Sequence, residues 1–453
     1  MNVFKAGFSE TIVNPPLDYP LHGYYLNRKG KGFIDDLKAS ALALSLNDNN
    51  IIIISVDNGG FKQTVIEKFS YAITKRTGIK KENIFITATH SHTAPSTFFP
   101  EFYETEKNKI DSYINFLTTK LTNLCIEALN DLKPAKMGYA VGKAPDRIAY
   151  IRRYRMKDGS TLTCPTINDP NIVGPIGELD QRVNIIRLDR ENTNSIVILN
   201  YGIHADTVNG DYYCSDWIGW TRDTIEKALD GTKCMCLIGA QGDVGSTNIN
   251  PIPGDMNDTE ISFDNEMKSP GMARFIGRAL AGVILQVYDK VAYVQVDNIK
   301  SVQTKLPVKM NIPKKEDLPL AKKYKKLYEN EESDKIPYTG MELTTIVAEA
   351  LRMCKMENDP PIAYLTLSGI RIGNIAFVGI PGEPFTDIGI QIKNSNDYDL
   401  ILPCAIANGY EGYFPIKSAF DEGGYEARTS PYKPEISESI ISCAKEILAK
   451  LKK

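Results

Sequence analysis

The chain has 453 residues, 42% of them hydrophobic and 24% charged, which suits a globular protein and excludes disordered, collagenous and disulfide-dense classes. Its 53 Lys+Arg against 56 Asp+Glu give a net charge of −3, so there is no basic excess for gripping nucleic acid. No apolar run nears the roughly 18 residues of a spanning helix, Met1 to Gly7 carries no signal-peptide pattern, and the eight cysteines are scattered without a C-x-x-C, so a cytoplasmic protein with reduced thiols is expected.

In chain order, the apolar stretches 41–46 and 51–56, separated by Asn47-Asp48-Asn49-Asn50, predict a β-hairpin closed off by Asp57-Asn58-Gly59-Gly60. The spacing of Val65, Phe69, Ala72 and Ile73 predicts a helix over 61–77, followed by a buried strand over 84–87 and a long amphipathic helix over 110–132. Strands are expected at about 137–142, 183–188 and 196–201, a helix at 217–229, a strand at 235–238 and a helix at 266–288. Beyond strands at 291–296 and 302–307, a charged stretch of about 314–356, punctuated by Pro319 and Pro337, reads as a solvated helical excursion without chemistry. Strands at 362–367, 370–378 and 399–402 and a closing helix at 437–451 complete the chain. The expected class is α/β, mixed β-sheets with covering helices, in one domain over 1–453 without an internal repeat.

The chemistry gathers at strand ends. Three of the four histidines follow apolar strands: His90 and His92 in Thr89-His90-Ser91-His92-Thr93-Ala94-Pro95, and His204 in Gly202-Ile203-His204-Ala205-Asp206. Residues two apart in an extended chain point to the same side, so His90 and His92 can face one pocket. Zinc takes neutral imidazoles and carboxylates at about 2.0–2.2 Å and keeps a position open for water in catalytic sites. A metal or catalytic role therefore competes with that of hydrogen-bonded core histidines. Three further segments read either way. Ser215-Asp216 is a site pair or a helix N-cap, and 237–248 is a loop presenting N–H groups to an oxyanion or a plain turn. Glu383 is a ligand or a carboxylate at a helix N-terminus.

Thr89-His90-Ser91-His92-Thr93-Ala94-Pro95, Ile203-His204, Ser215-Asp216, Gly242-Asp243-Val244, Pro381-Gly382-Glu383-Pro384-Phe385-Thr386 and Asn408-Gly409-Tyr410-Glu411-Gly412-Tyr413 together resemble the ordered motifs of the neutral, non-lysosomal ceramidase catalytic domain. The resemblance implies a ceramidase-like fold, here a short bacterial-type relative lacking the C-terminal β-sandwich, and hydrolysis of an amide in a lipid-like N-acyl substrate. It further implies one Zn2+ per chain, held by His90, His204, Glu383 and Tyr413. By the same comparison His92 faces the reacting carbonyl or water, and Arg152, with Arg153 as the fallback, meets the substrate. Tyr410 and Tyr425 match further tyrosines of the family. The family continues Gly-Asp-Val with Ser-Pro-Asn and uses that serine in catalysis. Here Gly245 takes its place unless a bulge at Gly245, with φ > 0, brings in Ser246. Three readings stay open: an amidohydrolase of the ceramidase type, a zinc hydrolase of a small soluble ester or amide, and an inactive metal- or ligand-binding relative. The expectation is that the loop does not restore the serine and that long-chain ceramide is a poor substrate.

Overall fold

The polar segment 47–50 contracts to a two-residue turn: Leu46 pairs with Asn49, and Asn47 and Asp48 take φ of 53° and 61°, the left-handed pair that a tight hairpin requires. This turn joins Lys38–Leu46 (β2) to Asn49–Val56 (β3), and β1 (Lys5–Ile12), which lacks a clear apolar alternation, pairs antiparallel with β2. The computed structural model describes residues 3–25, 28–98, 106–251, 268–395 and 398–453.

Helix α1 (Gln63–Thr77) carries the chain to β4 (Ile84–Ala88), parallel to β3, and α2 (Lys107–Asn130) packs back. The same order then recurs. Strands β5 (Lys133–Lys143), β6 (Arg182–Arg190) and β7 (Ile196–Tyr201) form an antiparallel meander, α3 (Asp216–Ala228) crosses to the parallel β8 (Lys233–Ile238), and α4 (Pro270–Val287) follows. After the short β9 (Ala292–Val294), β10 (Ile299–Lys309), β11 (Ile362–Ile372) and β12 (Ile375–Gly379) repeat the meander. Helix α7 (Thr386–Lys393) leads to the parallel β13 (Leu400–Cys404), and α8 (Ile436–Lys452) closes the unit. The expectation of no internal repeat is thus corrected at the level of topology. Between β10 and β11 this last unit inserts α5 (Leu318–Glu329) and α6 (Gly340–Lys355).

The first two units share a nine-stranded sheet, order β8-β7-β6-β5-β1-β2-β3-β4 with β9 beside β5; the third forms a separate four-stranded sheet, β10-β11-β12-β13. Alternation in β3 divides its burial. Ile51 and Ile53 pack with Ile370 and Phe377 between the sheets, while Ile52 and Ile54 pack with Phe69 and Leu121 under the helices. Helices α7 and α8 cover the outer face of the four-stranded sheet through Ile388, Ile440 and Ile447. The result is four layers, helix, sheet, sheet and helix, as the mixed α/β expectation requires.

Two boundaries differ from the sequence-based expectation. The strands expected at 362–367 and 370–378 turn at Asn374, because β11 runs unbroken to Ile372. The helix expected from 266 starts at Pro270, where Ser269 accepts the Met272 N–H at 3.1 Å as N-cap; 252–267 lies outside the described residues. All eight cysteines are free, and no helix among the described residues is long and apolar enough to cross a membrane.

In each unit the ends of the first, third and fourth strands point the same way, so the loops that leave them cluster at one end. The carboxyl ends of parallel strands are where α/β folds build their sites.

Candidate metal centre and its cavity

His90 stands two residues past β4 in a left-handed conformation, φ 58°, which is uncommon outside glycine and marks a position held by its surroundings. His204 follows β7, and Glu383 follows β12. His90 Nδ1 lies 2.5 Å from the Gly59 carbonyl, and His204 Nδ1 lies 2.7 and 2.9 Å from the carbonyls of Gln241 and Val244. A carbonyl only accepts, so both Nδ1 atoms donate, and in the neutral rings both Nε2 atoms carry a bare lone pair. Those lone pairs face Glu383 Oε2 at 3.3 and 2.7 Å. All three atoms are buried without a hydrogen-bond partner among the described residues. Three acceptors converging in a dry interior repel one another unless a cation lies between them. The His90, His204 and Glu383 ligand atoms all fall within 4.8 Å of one another, a spacing that a single ion can span.

Burial lowers the pKa of both rings. At His204 it prevails, aided by Arg152, whereas at His90 the Glu383 carboxylate outweighs it and the net shift is upward. Burial raises Glu383, yet His90 and His204 hold its carboxyl well below the usual range.

Glycine lets the ligand loops touch. A Cβ on Gly382 would sit 2.4 Å from the Gly412 carbonyl oxygen, and one on Gly242 would sit 2.5 Å from that of Glu383. Gly382→Ala is therefore expected to lower stability by about 1–3 kcal/mol, the scale of overpacking a filled interior, and to weaken metal binding at the His90–His204–Glu383 group. Paired urea melts and zinc titrations check this; unchanged values in both would refute the close-approach argument.

Around the trio, Tyr410 donates its hydroxyl to Glu383 Oε1 at 2.8 Å, which orients the carboxylate. Glu383 pairs with Tyr413 in a short parallel ladder, and the Tyr413 oxygen accepts from Arg152 Nη2 at 3.0 Å. Arg152 also donates to the Gly242 carbonyl at 2.9 Å and to Glu426 Oε1 at 2.7 Å. Arg153 turns away to Glu422 and the Gly423 carbonyl, so Arg152 rather than the fallback reaches the centre. Tyr425 stands behind Tyr413, their rings 5.7 Å apart.

His92 Nδ1 faces Asp206 Oδ1 at 3.3 Å, and Asp206 in turn accepts from Tyr24 and Lys268. Burial pushes the His92 pKa down to about 4 against the pull of Asp206, so the ring is neutral at physiological pH. Sequence reasoning missed Asp206 as the group that aims His92. It also missed His22, whose ring lies 5.0 Å from His90 and 5.7 Å from His92. The available signal was scarcity: the chain has four histidines, and all four gather here.

The open alternatives resolve as follows. Ser215 binds Asp35 and caps nothing by its side chain, while Asp216 accepts the N–H groups of Thr207 at 2.8 Å and Val208 at 3.0 Å, clamping the loop after His204. In the 237–248 loop, the Gly242 and Val244 N–H groups are spent on the carbonyls of Pro384 and Gln241, so these donors face no oxyanion. Instead the loop's carbonyls orient His204. Gly245 lies outside the positive-φ residues and, with Val244, pairs with 150–151 in a short antiparallel ladder. Ser246 follows it with a buried hydroxyl that has no partner among the described residues.

A cavity of about 530 Å³ opens beside His90 and His92. Tyr328, Ala348 and Leu351 of α5 and α6 form one of its walls. The expectation of a solvated excursion is corrected: the charged faces do meet solvent, but the apolar stripe of the pair, which spacing alone could not orient, encloses the site.

Among solved structures, neutral ceramidase from Pseudomonas aeruginosa is similar, with a TM-score of 0.74 and 17% identity, covering 100% of this chain and 75% of that one. A ceramidase complexed with C2 matches at a TM-score of 0.71 and 15% identity, covering 100% and 76% of the two chains. The chain therefore has the ceramidase fold that the ordered motifs implied. No family model matches the sequence, and no curated protein does.

Proposed function

We propose that residues 1–453 form one catalytic domain of a zinc-dependent hydrolase that cleaves the amide bond of a lipid-like or small N-acyl substrate. One Zn2+ per chain is held by His90, His204, Glu383 and Tyr413. The observation that carries this reading is the set of three buried acceptors, His90 Nε2, His204 Nε2 and Glu383 Oε2, facing one another without a proton donor. Two neutral imidazoles and a carboxylate suit zinc, and the Tyr413 oxygen would complete the set; burial and Glu383 push the pKa of that hydroxyl well above its usual value, with Arg152 pulling against them. Bound there, zinc would supply Lewis-acid polarisation and lower the pKa of a water to about 7.

The remaining work falls to the chain's own groups. Amide hydrolysis forms a C–O bond from water, breaks the C–N bond and delivers one proton to the leaving nitrogen. His92, neutral and with Nδ1 turned to Asp206, takes a proton on Nε2 from the attacking water and passes it to the amine. The Asp206 carboxylate, 3.3 Å from Nδ1, would favour that tautomer and the charged form of the ring. Tyr410 keeps Glu383 from rotating out of the centre. The eight free cysteines suit a cytoplasmic location.

The cavity volume of about 530 Å³ favours a compact substrate, within the range that holds small ligands, and so gives weight to a small soluble amide or ester. Chelated protein is expected to lose turnover of an N-acyl and ester panel and to regain it with zinc. Failure to regain it leaves the inactive-relative reading. Within that panel, long-chain ceramide is expected to show a lower kcat/KM than short N-acyl analogues, with Ser246→Ala changing neither much. Should ceramide be the best substrate and Ser246→Ala reduce its turnover about 10²-fold or more, the scale of losing a catalytic hydrogen-bonding group, Ser246 is the functional serine.

A further inference from the structure

The cavity that takes in His90 and His92 also has cationic lining. Lys62, Lys325, Arg352 and Lys355 line it, against Glu411 and Asp359. Arg352 is held by backbone carbonyls, donating from Nε to Arg428 O at 2.9 Å and from Nη1 to Asn311 O at 3.0 Å. No carboxylate pairs with it among the described residues, because the nearby Glu349 is taken by Arg428. Lys355, one turn further along α6, has no ion pair among the described residues. Lys62 and Lys355 both lie near enough to Glu411 to act on its carboxyl. A guanidinium fixed by carbonyls and left without a counter-ion, at the wall of a partly apolar cavity, is a ready partner for an oxyanion.

We propose that Arg352 and Lys355 form an anion subsite, so that the substrate carries a carboxylate or phosphate-like group in addition to the bond that is cleaved. This rests on the hydrolase reading for the word substrate, whereas the subsite itself is testable without turnover.

The probes are the mono-N-butylamide of suberic acid, N-butyloctanamide, which differs only in a terminal methyl for the carboxylate, and a phosphonate-ended analogue. Titrated calorimetrically into chelated protein, either anion is expected to bind about tenfold or more tighter than the neutral amide, with the preference shrinking as salt is raised. The two anionic arms separate carboxylate from phosphate recognition. The Arg352→Gln/Lys355→Gln double variant should lose the preference while its affinity for N-butyloctanamide stays within about twofold. Lys355→Gln, at an exposed position and harmless to folding, should by itself reduce it. Equal binding of anion and neutral amide by wild type, no measurable binding of either anion, or a preference that survives in the folded double variant would each overturn the subsite. Loss of all amidase activity with the preference intact would instead remove the hydrolase reading and leave the subsite standing.

Discussion

His204→Ala is expected to reduce zinc from one per chain to almost none and to abolish turnover. His204 contributes one of three converging acceptors, and its ring is aimed by two carbonyls. The remaining His90, Glu383 and Tyr413 leave a buried carboxylate facing a single imidazole, one ligand short of the proposed set of four. Elemental analysis of the purified variant gives the occupancy. Thermal melts add a second readout, because zinc bound only by the folded state raises Tm by an amount that grows with the logarithm of its affinity. Wild type should melt higher with zinc, and the variant should not respond. The control is His92→Ala, expected to keep most of the metal and to lose roughly 10²- to 10⁴-fold in rate, the usual worth of a positioned acid–base group. Full zinc occupancy in the His204 variant would sink the ligand assignment.

Arg152→Met is expected to cost both stability and activity. The guanidinium is buried and is the charged partner of Glu426, which is fully buried, accepts from the Thr163 hydroxyl at 2.8 Å and lies 4.0 Å from Arg153 Nε. Removing the cation leaves the buried carboxylate with the longer Arg153 contact in place of its 2.7 Å partner, a change worth up to about 3–5 kcal/mol. It also strips a donor from the Tyr413 oxygen and from the Gly242 carbonyl, the loops that bring Tyr413 and Glu383 together. Adding Glu426→Gln to Arg152→Met should recover much of the stability, since the buried charge is then gone, without recovering turnover. That split separates the two roles. A single variant as stable as wild type in urea would show that the pair is not the buried link described, and a fully active double variant would remove Arg152 from the chemistry.

Much of the local architecture is legible in the chain itself. The hairpin over 38–56 follows from a polar, turn-forming pair between apolar runs, and the helices over 63–77, 107–130 and 436–452 follow from apolar spacing, because period and turn chemistry are local properties. The histidines stood out through their scarcity and their place at strand ends. Strand β1 escaped notice because KAGFSETI offers little alternation, its burial being imposed by β2 and β5 on either side.

The sequence by itself determined the α/β class, the order of most elements and a short set of residues able to bind metal. Tertiary structure alone decided which of them meet. The threefold recurrence of meander, crossover and helix leaves no trace in residue spacing, yet it brings the ends of β4, β7 and β12 to one place and so unites His90, His204 and Glu383. The same packing recruited His22 and Asp206, chose Arg152 over Arg153, and turned a charge-rich helical pair into a cavity wall. These outcomes depend on the register between two sheets and on contacts across hundreds of residues, which are set by shared burial and long-range pairing rather than by any local pattern.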